Sequence, residues 1–313
     1  MTQYKILITD GLDESGQSIL RASAQVDDRN NISADDLLKA IPDYDGLIVR
    51  GRTKVTASVM EAASKLKVIG RAGVGVDNID LEAAKKHNIT VVNAPMSTTL
   101  AVAELTFGLM LALAREIPRA DAGMKQGKWL KKELEGVELN GKTLGVIGFG
   151  RIGAEVGKRA AVFGMNVIAY DPLISEDEIK KRGAEPVSIQ DLYAWSDFIS
   201  LHLPLTVQTR DLMGAQAFSE MKDGVRIVCA ARGGIIDEAE LVKALNSGKV
   251  AGAALDVFSV EPPGLTEAIS HPRLIGTPHV GAQTIEAQSR ASEDIAAEVL
   301  SALEGKALRW KVN

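Results

Sequence analysis

The run Thr143–Gly153, which reads Thr-Leu-Gly-Val-Ile-Gly-Phe-Gly-Arg-Ile-Gly, constrains this chain more than any other stretch. An apolar strand feeds a G-x-G-x-x-G turn, and a helix-compatible segment, Ala154 to Phe163, follows at once. Gly148 permits the tight turn, Gly150 lets backbone approach a pyrophosphate, and Gly153 lets helix and strand pack closely. Arg151 and Ile152 open the helix, whose N-terminus offers unpaired N–H groups and the positive end of a dipole to phosphates. A second strand, Asn166–Tyr170, ends in Asp171, near the spacing of about 20 residues at which an acid meets the adenosine ribose hydroxyls. The bland alternative is a turn that binds nothing. Strand, turn, helix, strand and acid in this order favour a dinucleotide-binding domain that starts late in the chain.

A late start leaves the first third to something else, and 313 residues suffice for two domains with separate cores. Short apolar runs at Tyr4–Ile8, Gly46–Val49, Val68–Gly70 and Thr90–Val92 alternate with helical patterns at Glu14–Ala22, Ser33–Ile41, Ala57–Leu66 and Leu81–His87. After the fingerprint the same rhythm continues, with strands expected near 143–148, 166–170, 197–202, 225–229, 250–255 and 274–277. Such alternation implies right-handed βαβ units and parallel sheets. Asn93-Ala-Pro95 stops the last early strand, Ser97-Thr-Thr99 can cap a long helix, and a final helix opens at Thr284 and closes at Gly305. The segment Leu308–Val312 can then return to the first domain. The expected fold is α/β, with two doubly wound parallel-sheet domains. A Rossmann domain at 97–285 is inserted into a smaller flavodoxin-like substrate domain made of 1–96 and 286–313, with substrate held between them.

Composition narrows the function. A net charge of −5 with 25% charged residues argues against general nucleic-acid or membrane-surface binding, while leaving room for a local basic pocket. The single cysteine, Cys229, excludes a disulfide framework and a thiolate metal site, and no metal is expected. Met1 leads into a charged, strand-like start with no signal peptide, so a cytoplasmic location is expected. The apolar run Leu100–Ala114 carries Glu104 and is too short to span a bilayer; it reads as a helix buried between domains or subunits.

Charged side chains recur just past the late strands, where ligands bind in such sheets. Arg232 follows Val228-Cys-Ala-Ala231, Asp256 ends Ala251–Leu255, Glu261 lies in Phe258-Ser-Val-Glu-Pro-Pro263, and His279 lies in Thr277-Pro-His-Val-Gly281. Singly, each has a structural reading. Of the other histidines, His87 and His271 look ordinary, and His202 can line the cofactor cleft.

Taken together, these stretches resemble the D-isomer-specific 2-hydroxyacid dehydrogenases. The resemblance rests on Val49-Arg-Gly-Arg-Thr-Lys-Val55, Gly70-Arg-Ala-Gly-Val-Gly-Val-Asp-Asn78, Gly148–Gly153, Ala231-Arg-Gly-Gly-Ile-Ile-Asp237, Ala254-Leu-Asp-Val-Phe258, Glu261-Pro-Pro263 and Pro278-His279, which together run along nearly the whole chain. It implies Arg232, Glu261 and His279 as a catalytic trio. It also implies NAD contacts around Gly148, Gly150, Arg151, Ile152, Gly153, Asp171, Leu203, Ala230 and Asp256. Substrate contacts are implied at Arg50, Arg71, Val74, Gly75, Thr98, Arg232 and His279. Two positions depart from the family pattern: Thr98 and Cys229 stand where asparagine is usual.

The chemistry explains the trio. Oxidising a secondary alcohol needs a base for its proton, for which His279 is suited, with Glu261 on the other ring nitrogen and Arg232 forked onto the α-carboxylate. The resemblance implies NAD-dependent oxidation of 3-phospho-D-glycerate to 3-phosphohydroxypyruvate, the first step of serine biosynthesis, as the expected reaction. Arg50, Arg52, Lys54 and Arg71 would form a phosphate pocket, with Arg50 and Arg71 in direct contact. NAD is expected over NADP because Pro172-Leu-Ile-Ser175 offers no cation for a 2′-phosphate. Two alternatives share this architecture: a glyoxylate, hydroxypyruvate or other 2-ketoacid reductase, and an NAD-sensing corepressor-like binding protein. The resemblance implies a homodimer or a dimer-based oligomer, and the apolar helix near 100–114 with Trp129–Leu134 suits such an interface. Because the chain stops at Asn313, feedback inhibition by serine is expected to be absent or weak.

Overall fold

The computed structural model describes residues 4–313, and the chain divides into two compact units. The first runs to Thr98 and resumes at Ala282–Asn313; the second is Thr99–Gly281. The opening elements are β1 (Tyr4–Ile8), α1 (Glu14–Arg21), β2 (Ala24–Asp28), α2 (Ala34–Ala40), β3 (Gly46–Val49), α3 (Ala57–Ala62), β4 (Val68–Arg71), α4 (Leu81–Lys86) and β5 (Thr90–Asn93). All four expected strands form, and β2 was not expected. The strands pair in parallel in the order β2-β1-β3-β4-β5, the doubly wound order of flavodoxin-like sheets. Asp13, Ser33 and Asp80 cap α1, α2 and α4 through side-chain oxygens that accept from Ser15, Asp36 and Ala83 amides.

The second unit comprises α5 (Thr99–Ala114), α6 (Ile117–Lys125), β6 (Thr143–Ile147), α7 (Arg151–Val162), β7 (Asn166–Tyr170), α8 (Glu176–Lys181), β8 (Glu185–Pro186), α9 (Ile189–Trp195), β9 (Phe198–Leu201), α10 (Ala215–Glu220), β10 (Val225–Cys229), α11 (Glu238–Ser247), β11 (Val250–Leu255), α12 (Glu267–Ser270) and β12 (Leu274–Gly276). Its sheet order, β12-β11-β10-β9-β6-β7-β8, is all parallel and carries the dinucleotide-fold reversal at β6, where the glycine fingerprint begins. Phe149 and Phe198 are fully buried beneath the flanking helices, and α5 adds Phe107, Met110 and Leu113 to the same core. No helix among the described residues is long and apolar enough to cross a membrane.

The last helix, α13 (Ile285–Leu303), is capped by Thr284 and packs on the first unit's sheet. Ile295 and Val299 are fully buried there, which contributes about 1.5–3 kcal/mol each. Gly70 of β4 makes room: a Cβ at that position would come within 2.5 Å of the Val299 side chain. The tail then returns as expected. Lys311 forms an antiparallel bridge with Val92, and the Asn313 amide accepts from Val91 N (2.8 Å) and donates to Ile89 O (2.8 Å), imitating a strand. Ser97 does not act as a cap in the way the sequence allowed: its hydroxyl donates to Ala94 O at 2.8 Å.

Candidate active site

The glycine turn sits at the C-terminal end of β6. Gly148 has φ +89, and a Cβ there would lie 2.6 Å from His202 O and 2.8 Å from the Leu203 side chain, so both the conformation and the space require glycine. A Cβ on Gly153 would meet Gly148 O at 2.2 Å. Gly150 differs, because nothing stands within 4 Å of where its Cβ would be. It is the N-cap of α7, and the first helical bond is Ala154 N to Gly150 O at 3.0 Å. The amides of Arg151, Ile152 and Gly153 therefore precede the helix's own bonding pattern. This cradle fits a dinucleotide's phosphates. Asp171, at the end of β7, accepts from Phe149 N (2.8 Å) and Leu173 N (2.9 Å), which leaves lone pairs for ribose hydroxyls. Leu203 follows β9, and Ala230 is buried just past β10. His202 bonds Ser200 Oγ through Nε2 at 2.6 Å, and burial pushes its pKa down to about 3, so it stays neutral.

Arg232, Glu261 and His279, the trio the family resemblance implied, follow β10, β11 and β12 at the C-terminal edge of the sheet. His279 Nδ1 stands 2.8 Å from Glu261 Oε2, and Glu261 Oε1 accepts from Phe258 N at 3.1 Å. A carboxylate can only accept, so Nδ1 carries the proton, and in the neutral ring Nε2 would present a lone pair. His279 adopts φ +52, a costly conformation for a non-glycine residue. The buried Asp256 supplies the restraint that holds it. Its Oδ1 accepts from Thr277 Oγ1 (2.6 Å) and Val280 N (2.8 Å), and its Oδ2 accepts from Gly281 N (2.8 Å), which pins the loop on both sides of the histidine. Arg232 follows Cys229, whose buried thiol lies under the turn, 3.9 Å from Arg232 O, with its pKa pushed up to about 11 by burial. Gly233 is required by close approach, since a Cβ there would come within 1.8 Å of Phe258 O. The Arg232 guanidinium donates to Ala231 O at 2.7 Å.

In the first unit, Arg50 and Arg71 stand at the C-terminal ends of adjacent strands β3 and β4. The two arginines of Arg50-Gly-Arg52 have separate fates. Asp10 accepts from Arg50 N (2.8 Å), Thr53 N (3.0 Å), Thr53 Oγ1 (2.5 Å) and the Arg52 guanidinium (2.9 Å). Arg52 also donates to Thr9 O at 2.7 Å, so it is a structural tie. The Arg50 guanidinium has no ion pair or hydrogen bond among the described residues. Burial holds its pKa below the usual arginine value, partly offset by Asp10. Asn78 Nδ2 bridges Arg50 O (3.0 Å) and Thr53 O (2.7 Å), fixing the loop. Arg71 donates to Ala72 O at 3.2 Å, and its side chain fills the space that a Cβ on Gly73 would need. Val74 and Gly75 lie in the turn after β4, where Asn93 Nδ2 donates to Val74 O at 2.7 Å, and Thr98 is buried just before α5. Asp10 and Asn78 were not among the residues expected at the site. Asp10 carries the signal that marked Asp171 and Asp256, an acid just past an apolar strand; Asn78 stood inside a matched motif with no role assigned. Among the described residues no cluster of His, Cys, Asp and Glu is arranged to hold a metal.

Comparison with known proteins gives this geometry a family. Residues 107–281 match the sequence model for "D-isomer specific 2-hydroxyacid dehydrogenase, NAD binding domain". The chain is 50% identical to the D-3-phosphoglycerate dehydrogenase of Methanocaldococcus jannaschii and 48% identical to that of Homo sapiens. It is covered over 99% of its length in both and covers 59% and 58% of those proteins. It thus spans about three-fifths of the length of these curated relatives. Among solved structures, a glyoxylate reductase from Paecilomyes thermophila superimposes with TM-score 0.91 at 31% identity, over 100% of this chain and 99% of that one. The chain belongs to the D-isomer specific 2-hydroxyacid dehydrogenase family and carries its NAD-binding domain.

Proposed function

We propose that the protein oxidises 3-phospho-D-glycerate to 3-phosphohydroxypyruvate with NAD, the entry step of serine biosynthesis, as a cytoplasmic homodimer. The observation that carries the substrate assignment is Arg50, a half-buried guanidinium without a partner among the described residues, beside Arg71 on the next strand. A desolvated cation whose charge Asp10 only partly balances is costly, and a phosphate would offset that cost. Val74, Gly75 and Thr98 would complete the substrate contacts.

When bound, NAD supplies the hydride acceptor. The chain supplies the rest. Gly148, Gly150, Arg151, Ile152 and Gly153 would hold the pyrophosphate, with Asp171 on the adenosine ribose and Leu203, Ala230 and the remaining lone pair of Asp256 as further contacts. Nε2 of His279 takes the hydroxyl proton as the C–H electron pair departs, leaving an imidazolium whose charge Glu261 balances through Nδ1. Arg232 forks onto the α-carboxylate and fixes the reacting carbon, while its positive charge favours the developing alkoxide.

A second reading, reduction of glyoxylate or hydroxypyruvate, is favoured by the solved glyoxylate reductase that aligns along the whole chain. Consumption of NADH with 3-phosphohydroxypyruvate, hydroxypyruvate and glyoxylate separates the two. We expect kcat/KM to be at least about tenfold higher for the phosphorylated acid, as one charge-assisted contact implies. Equal or reversed values would overturn the assignment. The dimer reading draws on the exposed apolar side chains Ile117, Met124 and Trp129 (76% exposed) on and after α6. Sedimentation of the wild type and of Trp129→Glu tests it; a monomeric wild type would refute it.

A further inference from the structure

Arg182 ends α8, far from the fingerprint in sequence, yet the fold brings its guanidinium to the middle of the glycine turn. One terminal nitrogen donates to Phe149 O at 2.8 Å, while Nε donates to Glu178 Oε1 at 2.9 Å, which anchors the side chain. The amide of the same residue, Phe149 N, donates to Asp171 Oδ2 at 2.8 Å, and the Phe149 ring is fully buried beneath α7. Amide, carbonyl and ring of Phe149 are therefore all fixed. Phe149 lies between Gly148 and Gly150, the two positions with the most backbone freedom to lose when a ligand orders the turn.

We propose that Arg182 is a positioning residue for the dinucleotide: with Asp171 it clamps the Phe149 peptide and presents the turn preformed, so that binding does not have to order it. Preorganisation of this kind raises affinity without adding a contact to the ligand. Without Arg182 the Phe149 carbonyl loses its partner, and the Phe149–Gly150 peptide is restrained only from one side, through the Phe149 amide on Asp171, the buried ring and the Gly148 N–Tyr170 O bond, so it gains freedom to rotate. Glu178 restrains the guanidinium, so its role is secondary. The proposal rests on NAD binding to this turn; failure of that assignment shows separately, as absence of NADH binding to the wild type.

The test is equilibrium binding of NADH and of ADP, read by fluorescence and calorimetry, together with steady-state kinetics. Arg182→Ala should raise Kd for NADH, Kd for ADP and KM for NAD by a common factor of about ten, equivalent to about 1.4 kcal/mol. At saturating NAD, kcat and KM for the hydroxy acid should stay within about twofold of wild type. Arg182→Lys, which keeps one donor and the charge, should recover part of the loss, and Glu178→Gln should produce a smaller shift of the same sign. Unchanged binding of NADH and ADP overturns the proposal. So does a parallel loss in kcat and in hydroxy-acid KM, the signature of general damage to the domain. Should Arg182→Ala not fold, the Lys and Glu178→Gln variants carry the same criterion.

Discussion

Arg50→Ala and Arg52→Ala should have opposite phenotypes, although the two arginines occupy one tripeptide. Arg52 ties Asp10, Thr9 O and Ile32 O together, at 2.9, 2.7 and 3.3 Å. Because its side chain is 47% exposed, solvent screens much of that ion pair, and its removal should cost about 1–2 kcal/mol, lowering Tm by a few degrees. The Arg50 guanidinium makes no hydrogen bond or ion pair among the described residues and its desolvation is only partly offset by Asp10, so its removal should leave Tm nearly unchanged. The loss should appear in binding instead. A phosphate contact by a charged donor is worth about 1.5–3 kcal/mol, which is roughly 10- to 150-fold in KM for 3-phosphohydroxypyruvate. Hydroxypyruvate, lacking the phosphate, should change by no more than about threefold. Thermal melts of the apoprotein and NADH-consumption kinetics with both acids complete the comparison. A substantial fall in Tm for Arg50→Ala, or an equal rise in KM for both acids, would refute the reasoning.

His279→Ala should lower kcat by about 10²–10⁴ while NADH titration stays near wild type, and adding Glu261→Gln should cost little more, because the pair acts as a unit; additive losses would break the pairing. Asp256→Asn turns an all-acceptor group toward three donors and should loosen the His279 loop, lowering kcat at least about tenfold with the fold intact by circular dichroism. Asp171→Ala should weaken NAD binding and narrow the preference over NADP, since a 2′-phosphate about 4 Å from a carboxylate is opposed by roughly 4 kcal/mol per pair of unit charges at an effective dielectric of 20; equal kcat/KM for the two cofactors in the wild type would contradict this. Asp197 is partly buried, which alone would raise its pKa, but the Thr143 amide and the Lys222 ammonium hold it below the usual carboxylate value. Its stabilisation is therefore present above the ordinary carboxylate pKa near 4 and lost as pH falls through the depressed one, so Asp197→Asn should flatten the acid limb of the Tm–pH curve; an unchanged limb would refute the claim.

Much of the fold was legible because buried parallel strands read as apolar runs and the fingerprint marked where the sheet order turns. The two strands that escaped notice lie at sheet edges. β2 is Ala-Gln-Val-Asp-Asp, with a single β-branched residue and mostly solvent-facing side chains, and β8 is two residues long. An edge strand covered on fewer sides has less need of apolar sequence. The placement of Arg232, Glu261 and His279 just past strand ends was legible from their motifs, but the contacts that hold the neighbouring loops were not. Nothing in Arg-Gly-Arg distinguishes the arginine captured by Asp10 from the one left open, because the selection is made by β1, forty residues upstream of the loop. Arg182 was equally hidden: it meets Phe149 only after α8 folds back beside β7.

The most direct test of the whole account is NADH formation from NAD with 3-phospho-D-glycerate, set against D-glycerate and D-lactate under the same conditions. Turnover of the phosphorylated acid, with kcat/KM at least about tenfold above either unphosphorylated acid, is the expected result. Robust NADH binding with no turnover of any of the three, or a preference for D-lactate or D-glycerate, would contradict it.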